Sequence, residues 1–258
     1  MTRARGFVLA LIVFAVSSTA VAQNKSDDND FHGFYLGGYI GATVGRSDAS
    51  TTTAFSPTGY FASTSVDTIN AVGAREIEPK GFTGGGTFGY NWQWDNVVAG
   101  IETDFGSMNL DDHVTSTGSY PCCAGTGFSF TQKVETDWVW TVRPRFGFTA
   151  RKALIYGTAG LAATNLFYRE DFTDTFAAGA TASGRAEEMR TGWTVGGGVE
   201  FKTSQRWTLK GEYLYADFGE VGATSNNLTN GGTFTDTVFT HNADLRTHHF
   251  RFGVNFHF

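Results

Sequence analysis

The chain has 258 residues, 33 of them Gly and 24 Phe, with aromatics at 15%, charged residues at 17% and a formal charge of −6. Aromatics this frequent and charges this sparse depart from an ordinary water-soluble domain. A net negative chain argues against nucleic acid as a partner, because that partner calls for a basic patch.

The first 22 residues read as an export signal. Arg3 and Arg5 precede an apolar run from Phe7 to Val16, and Ala20-Val21-Ala22 follows. This is a basic region, a hydrophobic region and a small-residue cleavage site. The run is too short to cross a bilayer as a helix, and no other stretch approaches 18 consecutive apolar residues, so a helical membrane protein is excluded. The expected organisation is a cleaved signal peptide at 1–22, a short periplasmic segment at 23–32 and one folded domain at 33–258.

Eight segments then alternate with period two, the mark of strands with unlike faces. They cover 33–44, 81–94, 96–106, 134–148, 152–163, 190–202, 207–218 and 246–258. In the first, Phe34, Leu36, Ile40, Ala42 and Val44 oppose Tyr35, Gly37, Tyr39, Gly41 and Thr43. In the second, Phe82, Phe88, Tyr90, Trp92 and Trp94 oppose Thr83, Gly85, Thr87, Gly89 and Asn91. In the third, Ile101 and Phe105 oppose Glu102 and Asp104. In the fourth, Trp138, Trp140, Phe146 and Phe148 oppose Asp137, Thr141, Arg143 and Arg145, and Pro144 predicts a bulge because it cannot donate to a ladder. The fifth, KALIYGTAGLAA, is apolar on both faces, and its orientation stays open. In the sixth, Trp193, Val195, Val199 and Phe201 oppose Thr194, Glu200 and Lys202. In the seventh, Trp207, Leu209, Tyr213 and Tyr215 oppose Lys210 and Glu212. The eighth sets Phe250, Phe252, Val254, Phe256 and Phe258 against Arg251, Gly253, Asn255 and His257.

The greasy faces carry about thirty large side chains, more than the interior of an eight-stranded barrel holds. The opposite faces are mostly Gly and Thr, with charges of both signs. Glu102, Asp104, Glu200 and Glu212 match Arg143, Arg145, Lys202, Lys210 and Arg251, the near balance that a closed interior requires. The polar faces therefore point in and the apolar faces point to lipid. Backbone crossing lipid as strands has to close into a barrel. Trp and Tyr near strand ends suit the two membrane interfaces. The turns after the second, fourth and sixth segments are short, whereas the connections 45–80, 107–133, 164–189 and 219–245 are long. Short turns belong to the periplasmic side and long loops to the cell surface. The fold class is an all-β, eight-stranded antiparallel up-and-down transmembrane barrel, with four long external loops and three short periplasmic turns. Alternation inside the loops, as at 233–240, predicts that some strands continue above the membrane as hairpins.

The remaining candidates for chemistry are few. Cys122 and Cys123 are adjacent in a loop predicted to be external; a local disulfide, a cross-link between chains and a metal site all stay open. The six histidines lack metal-ligand spacing, and Asp111-Asp112-His113 reads as a solvated turn. No nucleophile elbow or dinucleotide loop is present. No catalytic residue, cofactor or metal is expected.

The stretches GFTGGGTFGYNWQWDNVVAGIETDF, DWVWTVRPRFGF, ALIYGTAGLAA, TGWTVGGGVEFKTSQRWTLKGEYLYADFG and RFGVNFHF occur in that order. Together they resemble the small outer-membrane β-barrel family of alphaproteobacteria, porin-like surface antigens related to the transmembrane domain of OmpA-type proteins. The resemblance implies a location in the Gram-negative outer membrane, among lipid and lipopolysaccharide. It implies a C-terminal signal, Phe252, Val254, Phe256 and Phe258, read by the barrel-assembly machinery. Family members are variously porins, surface antigens, adhesins and envelope-structural proteins. The expected role is therefore structural or interactive, with an unidentified extracellular ligand at the loops; a small-solute channel is the alternative, and an enzyme at the rim is the remote one.

Overall fold

The computed structural model describes residues 30–258; the signal peptide expected at 1–22 and most of the segment expected at 23–32 lie outside the described residues. Eight long strands form an antiparallel ring: β1 (Gly33–Thr53), β3 (Lys80–Trp94), β4 (Val97–Ser119), β5 (Gly127–Ala150), β6 (Ala153–Asp174), β7 (Thr181–Lys202), β8 (Trp207–Ser225) and β9 (Phe239–His257). Each pairs with the next, and β9 returns to β1 with Tyr39 opposite Gly253 and Ile40 opposite Phe252. Closure leaves no open sheet edge across the lipid.

The alternation sets the faces as expected. Ile40, Phe82 and Phe252 are each more than two-thirds exposed, whereas Tyr35, Thr43, Arg143, Glu200 and Arg251 are buried. The fifth segment now has an orientation: Leu154, Tyr156 and Thr158 point inward, while Ile155 and Leu161 face lipid. An aromatic girdle closes the apolar band on the periplasmic side with Trp94 and Trp207. On the outer side it includes Trp140, Trp193 and Tyr213, whose hydroxyl is 2.7 Å from His248 Nδ1.

The periplasmic turns are Asp95-Asn96, Arg151-Lys152 and residues 203–206; the first holds two residues where the sequence reading allowed one. Asp95 and Arg151 adopt positive φ (50° and 55°), as tight hairpins demand. Below the strands, Phe31 is buried in the barrel mouth. Its amide donates to Gln93 Oε1 at 2.7 Å, and its ring lies 5.2 Å from the Lys202 ammonium.

One expectation is met and two need correction. Strands do run on above the membrane, with β4, β5 and β6 reaching well above the lipid, although 234–238 lie outside any strand; the first connection also folds into α1 (Ser63–Gly73) and β2 (Ala74–Ile77), which pairs with the top of β1. Val66, Ile69 and Val72, spaced by three, are the sequence signal for that helix; Ile69 is buried. Pro144 makes no bulge, because it faces lipid opposite Ile101 in an unshifted ladder. The bulge lies instead near Asp137, where both ladders of β5 shift register. The extra residue turns Asp137 to the exposed outer surface, not to the interior.

Candidate functional site

The interior charges meet at mid-barrel. Arg143 Nη2 donates to Glu102 Oε1 at 2.7 Å and to Asp104 Oδ2 at 2.8 Å, and Nη1 donates to Glu212 Oε1 at 3.2 Å. Arg145 joins Glu102 at 3.3 Å, Glu200 at 2.7 Å and the Tyr35 hydroxyl at 2.8 Å. Lys210 reaches Glu102 at 2.7 Å and Glu212 at 3.3 Å. Arg251 reaches Asp104 at 2.8 Å and stands over the Tyr39 ring, 4.4 Å from its centroid. At the periplasmic end Glu200 accepts from Asn255 at 2.8 Å and lies 3.1 Å from His257 Nε2. Lys202 is interior as well, with its ammonium 5.2 Å from the centroid of the Phe31 ring.

These contacts follow from register. Glu102 and Arg143 are cross-strand partners on β4 and β5, as are Glu212 and Arg251 on β8 and β9. Opposite walls supply opposite charges, so a narrow barrel brings them together. Small residues make the room: a Cβ on Gly89 would strike the Tyr35 phenol, which lies over that glycine on its way to Glu102. The void beside Tyr39, Asp104, Lys210, Glu212 and Arg251 is about 10 Å³, space for about one water. Charges desolvated this fully hold only when each is paired with an opposite one, as here, although Arg145 Nε and Arg251 Nε and Nη2 make no hydrogen bond among the described residues.

Above the bilayer the filling changes character. Met108, Leu110, Val134, Leu166, Phe218 and Leu245 form an apolar core inside the extended strands. A second cluster, including Phe61, Ile69, Phe128, Phe130, Phe172 and Phe239, caps it beneath the apex. Asp174 ties the apex together by accepting from the Tyr60 and Tyr120 hydroxyls, both at 2.9 Å. Burial pushes the Tyr60 hydroxyl up to about 12.

Cys122 and Cys123 are bonded to each other at the β4–β5 tip, where Cys123 packs against the aromatic cap. Asp111, Asp112 and His113 lie along β4 without converging, and Asp111 pairs with Lys133 at 2.9 Å. No group of three metal-ligating side chains occurs among the described residues. In the C-terminal set, Phe252, Val254 and Phe258 are exposed on the lipid side and Phe256 is half-buried; the Phe258 amide donates to the Phe34 carbonyl at 3.1 Å. Sequence reading passed over a buried polar group in the upper barrel, formed by Thr51, Gln132, Tyr168, Glu170 and His241. Its signal is the alternation of Tyr168, Glu170 and Phe172 with Arg169 and Asp171, inside a segment read as loop.

The sequence matches the family described as outer membrane protein beta-barrel domain over residues 7–258. The 31 kDa outer-membrane immunogenic protein of Brucella melitensis biotype 1 is 33% identical over 226 residues, covering 87% of this chain and 84% of that protein. The 22 kDa outer membrane protein of Rhizobium leguminosarum bv. viciae is 33% identical over 140 residues, 54% of this chain and 53% of that protein. Both are named as outer-membrane proteins, not as enzymes. Among solved structures, the outer membrane protein OprG of Pseudomonas aeruginosa aligns over 90% of this chain and 99% of its own, at 14% identity and a TM-score of 0.48. With a family match over nearly its whole length and a relative one-third identical across most of both chains, this chain belongs to the outer membrane protein β-barrel family and resides in the outer membrane.

Proposed function

We propose that this protein is a closed barrel that displays a rigid contact surface outside the cell. The observation that carries the reading is the pairing of a filled interior with an exposed aromatic apex. The charged plug and the apolar core above it support a barrel that does not conduct. At the top, Phe55, Phe176 and Val238 are each at least 42% exposed. Beneath them Tyr60 packs edge-on to Phe176 and Phe234, and Asn230 donates to the Tyr60 hydroxyl at 2.8 Å. Exposed apolar groups on an ordered base are the usual form of a protein-binding patch. The partner is an apolar or aromatic protein surface met outside the cell. That role calls for no reaction chemistry.

The test uses cells that carry the wild-type chain or a triple variant, Phe55→Ser, Phe176→Ser and Val238→Ser, at matched surface levels. Adhesion to protein-coated surfaces is expected to fall at least about tenfold in the variant, the loss of one or two strong contact residues. Unchanged adhesion by a correctly folded variant would overturn the reading.

A further inference from the structure

The wall of the upper barrel has a window in its hydrogen bonding. The β7–β8 ladder ends at Trp193 opposite Asp217, although β7 extends up to Thr181 and β8 to Ser225. The strands meet again at the bridge from Thr181 to Thr229, beside which Asn227 bonds Ser183. Between these points, residues 184–191 and 218–225 run side by side without ladder bonds across the gap.

Behind the window stands His241 of β9. A Cβ on Gly184 would strike its ring, so glycine is needed there for the imidazole to sit where it does. Its Nε2 lies 2.9 Å from Ser225 Oγ, and Ser225 is half-buried. Its Nδ1 lies 3.1 Å from Thr51 Oγ1 and 3.5 Å from Glu170 Oε2. The Glu170 side chain is fully buried, and neither oxygen has a hydrogen-bond partner among the described residues. A buried carboxyl without partners is costly, and packing does not explain its place beside an imidazole.

We propose that Ser225, His241 and Glu170 form a nucleophilic site, reached through this window, that takes short-chain acyl esters. The order serine, imidazole, carboxylate is the arrangement that activates a hydroxyl on many unrelated folds, where geometry identifies it and sequence position does not. His241 Nε2 takes the Ser225 proton as Oγ bonds to the ester carbonyl carbon. The bond from that carbon to the leaving alcohol oxygen then breaks, and the alcohol carries away the proton held by His241. Water attacks the acyl-serine with His241 again as base, which releases the carboxylic acid and restores the serine. Thr51 is the positioning residue bonded to Nδ1, and Glu170, 3.5 Å from the same nitrogen, acts on the imidazole by its charge once ionised. Backbone amides without ladder partners rim the window, the type of donor a developing oxyanion uses. Gly184, Ala186 and Ala223 make that rim small and apolar, which suits a short acyl group. Ser225 lies eight residues beyond Asp217, roughly 20 Å above the interface for a tilted strand. Substrates therefore arrive from the aqueous side and not from the bilayer.

The titration states agree with this geometry. Burial lowers His241 to about 4, so the imidazole is unprotonated at neutral pH. Burial, with Asp171 adding, raises Glu170 to about 8. Tyr168 and Asp171 of β6 and His241 of β9 are the titratable groups that face Glu170; Asp171 itself pairs with Arg169.

The test treats the refolded full chain in detergent with a fluorophosphonate probe, then follows hydrolysis of p-nitrophenyl acetate. Folding of each form is confirmed by gel migration that changes on boiling. The expected result is one probe per chain, located on Ser225 by peptide mass spectrometry. Labelling and hydrolysis should fall at least about tenfold in Ser225→Ala and His241→Asn, and stay unchanged in Thr224→Ala. In the wild type the hydrolysis rate should rise through about pH 8 as Glu170 ionises, and Glu170→Gln should flatten that rise. No label on the folded wild type, a label on another residue, or full hydrolysis by Ser225→Ala would each overturn the proposal, and the first of these needs no variant to fold.

Discussion

Arg143 touches three carboxylates at once, Glu102, Asp104 and Glu212, from a position with no exposed surface. Removing it by Arg143→Ala leaves those charges facing one another in a dry interior. The expected cost is about 3–5 kcal/mol, read as a lower urea midpoint for the barrel refolded in lipid vesicles; an unchanged midpoint would mean that water has replaced the guanidinium. A second expectation concerns pH. Folding raises Glu170 from 4.5 to about 8, so the folded chain holds a proton that the unfolded chain releases, and this group's contribution falls as pH rises across that range. Folding lowers His241 from 6.5 to about 4, so its contribution rises with pH up to about 6.5. The two oppose at first. From about pH 6.5 to 8 only the Glu170 loss remains, at most about 1.4 kcal/mol per unit. Unfolding midpoints at those two pH values should differ in the wild type and converge in Glu170→Gln; equal slopes in both would refute the assignment. The sequence showed which charges point inward, because alternation alone decides that. It did not show which ones touch, because contact depends on the stagger between strands far apart in the chain. The Asp137 error has the same root, since a bulge is one added residue with no signature in composition.

Strand lengths came out longer than their hydrophobic patterns. The alternation is plain where one face meets lipid and fades above it, where both faces are mixed, as in residues 108–119 of β4. There the ladder and the apolar core continue what lipid no longer imposes. The tip of that hairpin carries the bond between Cys122 and Cys123. A link between adjacent residues closes no loop, so the double change Cys122→Ser with Cys123→Ser should shift stability by less than about 1 kcal/mol in thermal unfolding. A larger drop would show that the pair clamps the aromatic cap. The last strand gives a prediction of another kind. Phe258 is 72% exposed and its amide reaches only the Phe34 carbonyl. We expect deletion of Phe258 to reduce assembly in cells severalfold, while the same variant refolded in detergent loses no more than about 1 kcal/mol. Equal losses in both measurements would make the residue mere lipid-facing packing and not a delivery signal.

As a whole the molecule is two structures on one set of strands. The lower half is a lipid-clad ring filled by ion pairs, and the upper half is a water-facing barrel with an apolar core of its own. The lower half was legible in the sequence, down to its closure and the inward charges. The upper half was legible only as loops in which some strands continue, because the rule that greasy faces point outward reverses once the strands leave the bilayer. Residues such as Phe130, Phe172 and Phe239 point inward there, where a single periodic rule would leave them ambiguous. The window between β7 and β8 lies wholly in this upper half, and only the pairing of strands reveals it.

Both halves support one central claim, that no solute path runs through the barrel. Single-channel recording of the refolded full chain in a planar bilayer tests it most directly. A plug whose neighbouring void is about 10 Å³ predicts a silent membrane at applied voltage. Steps in the range of wide porins, abolished on removal of the protein, would contradict the claim and show that the charged network opens.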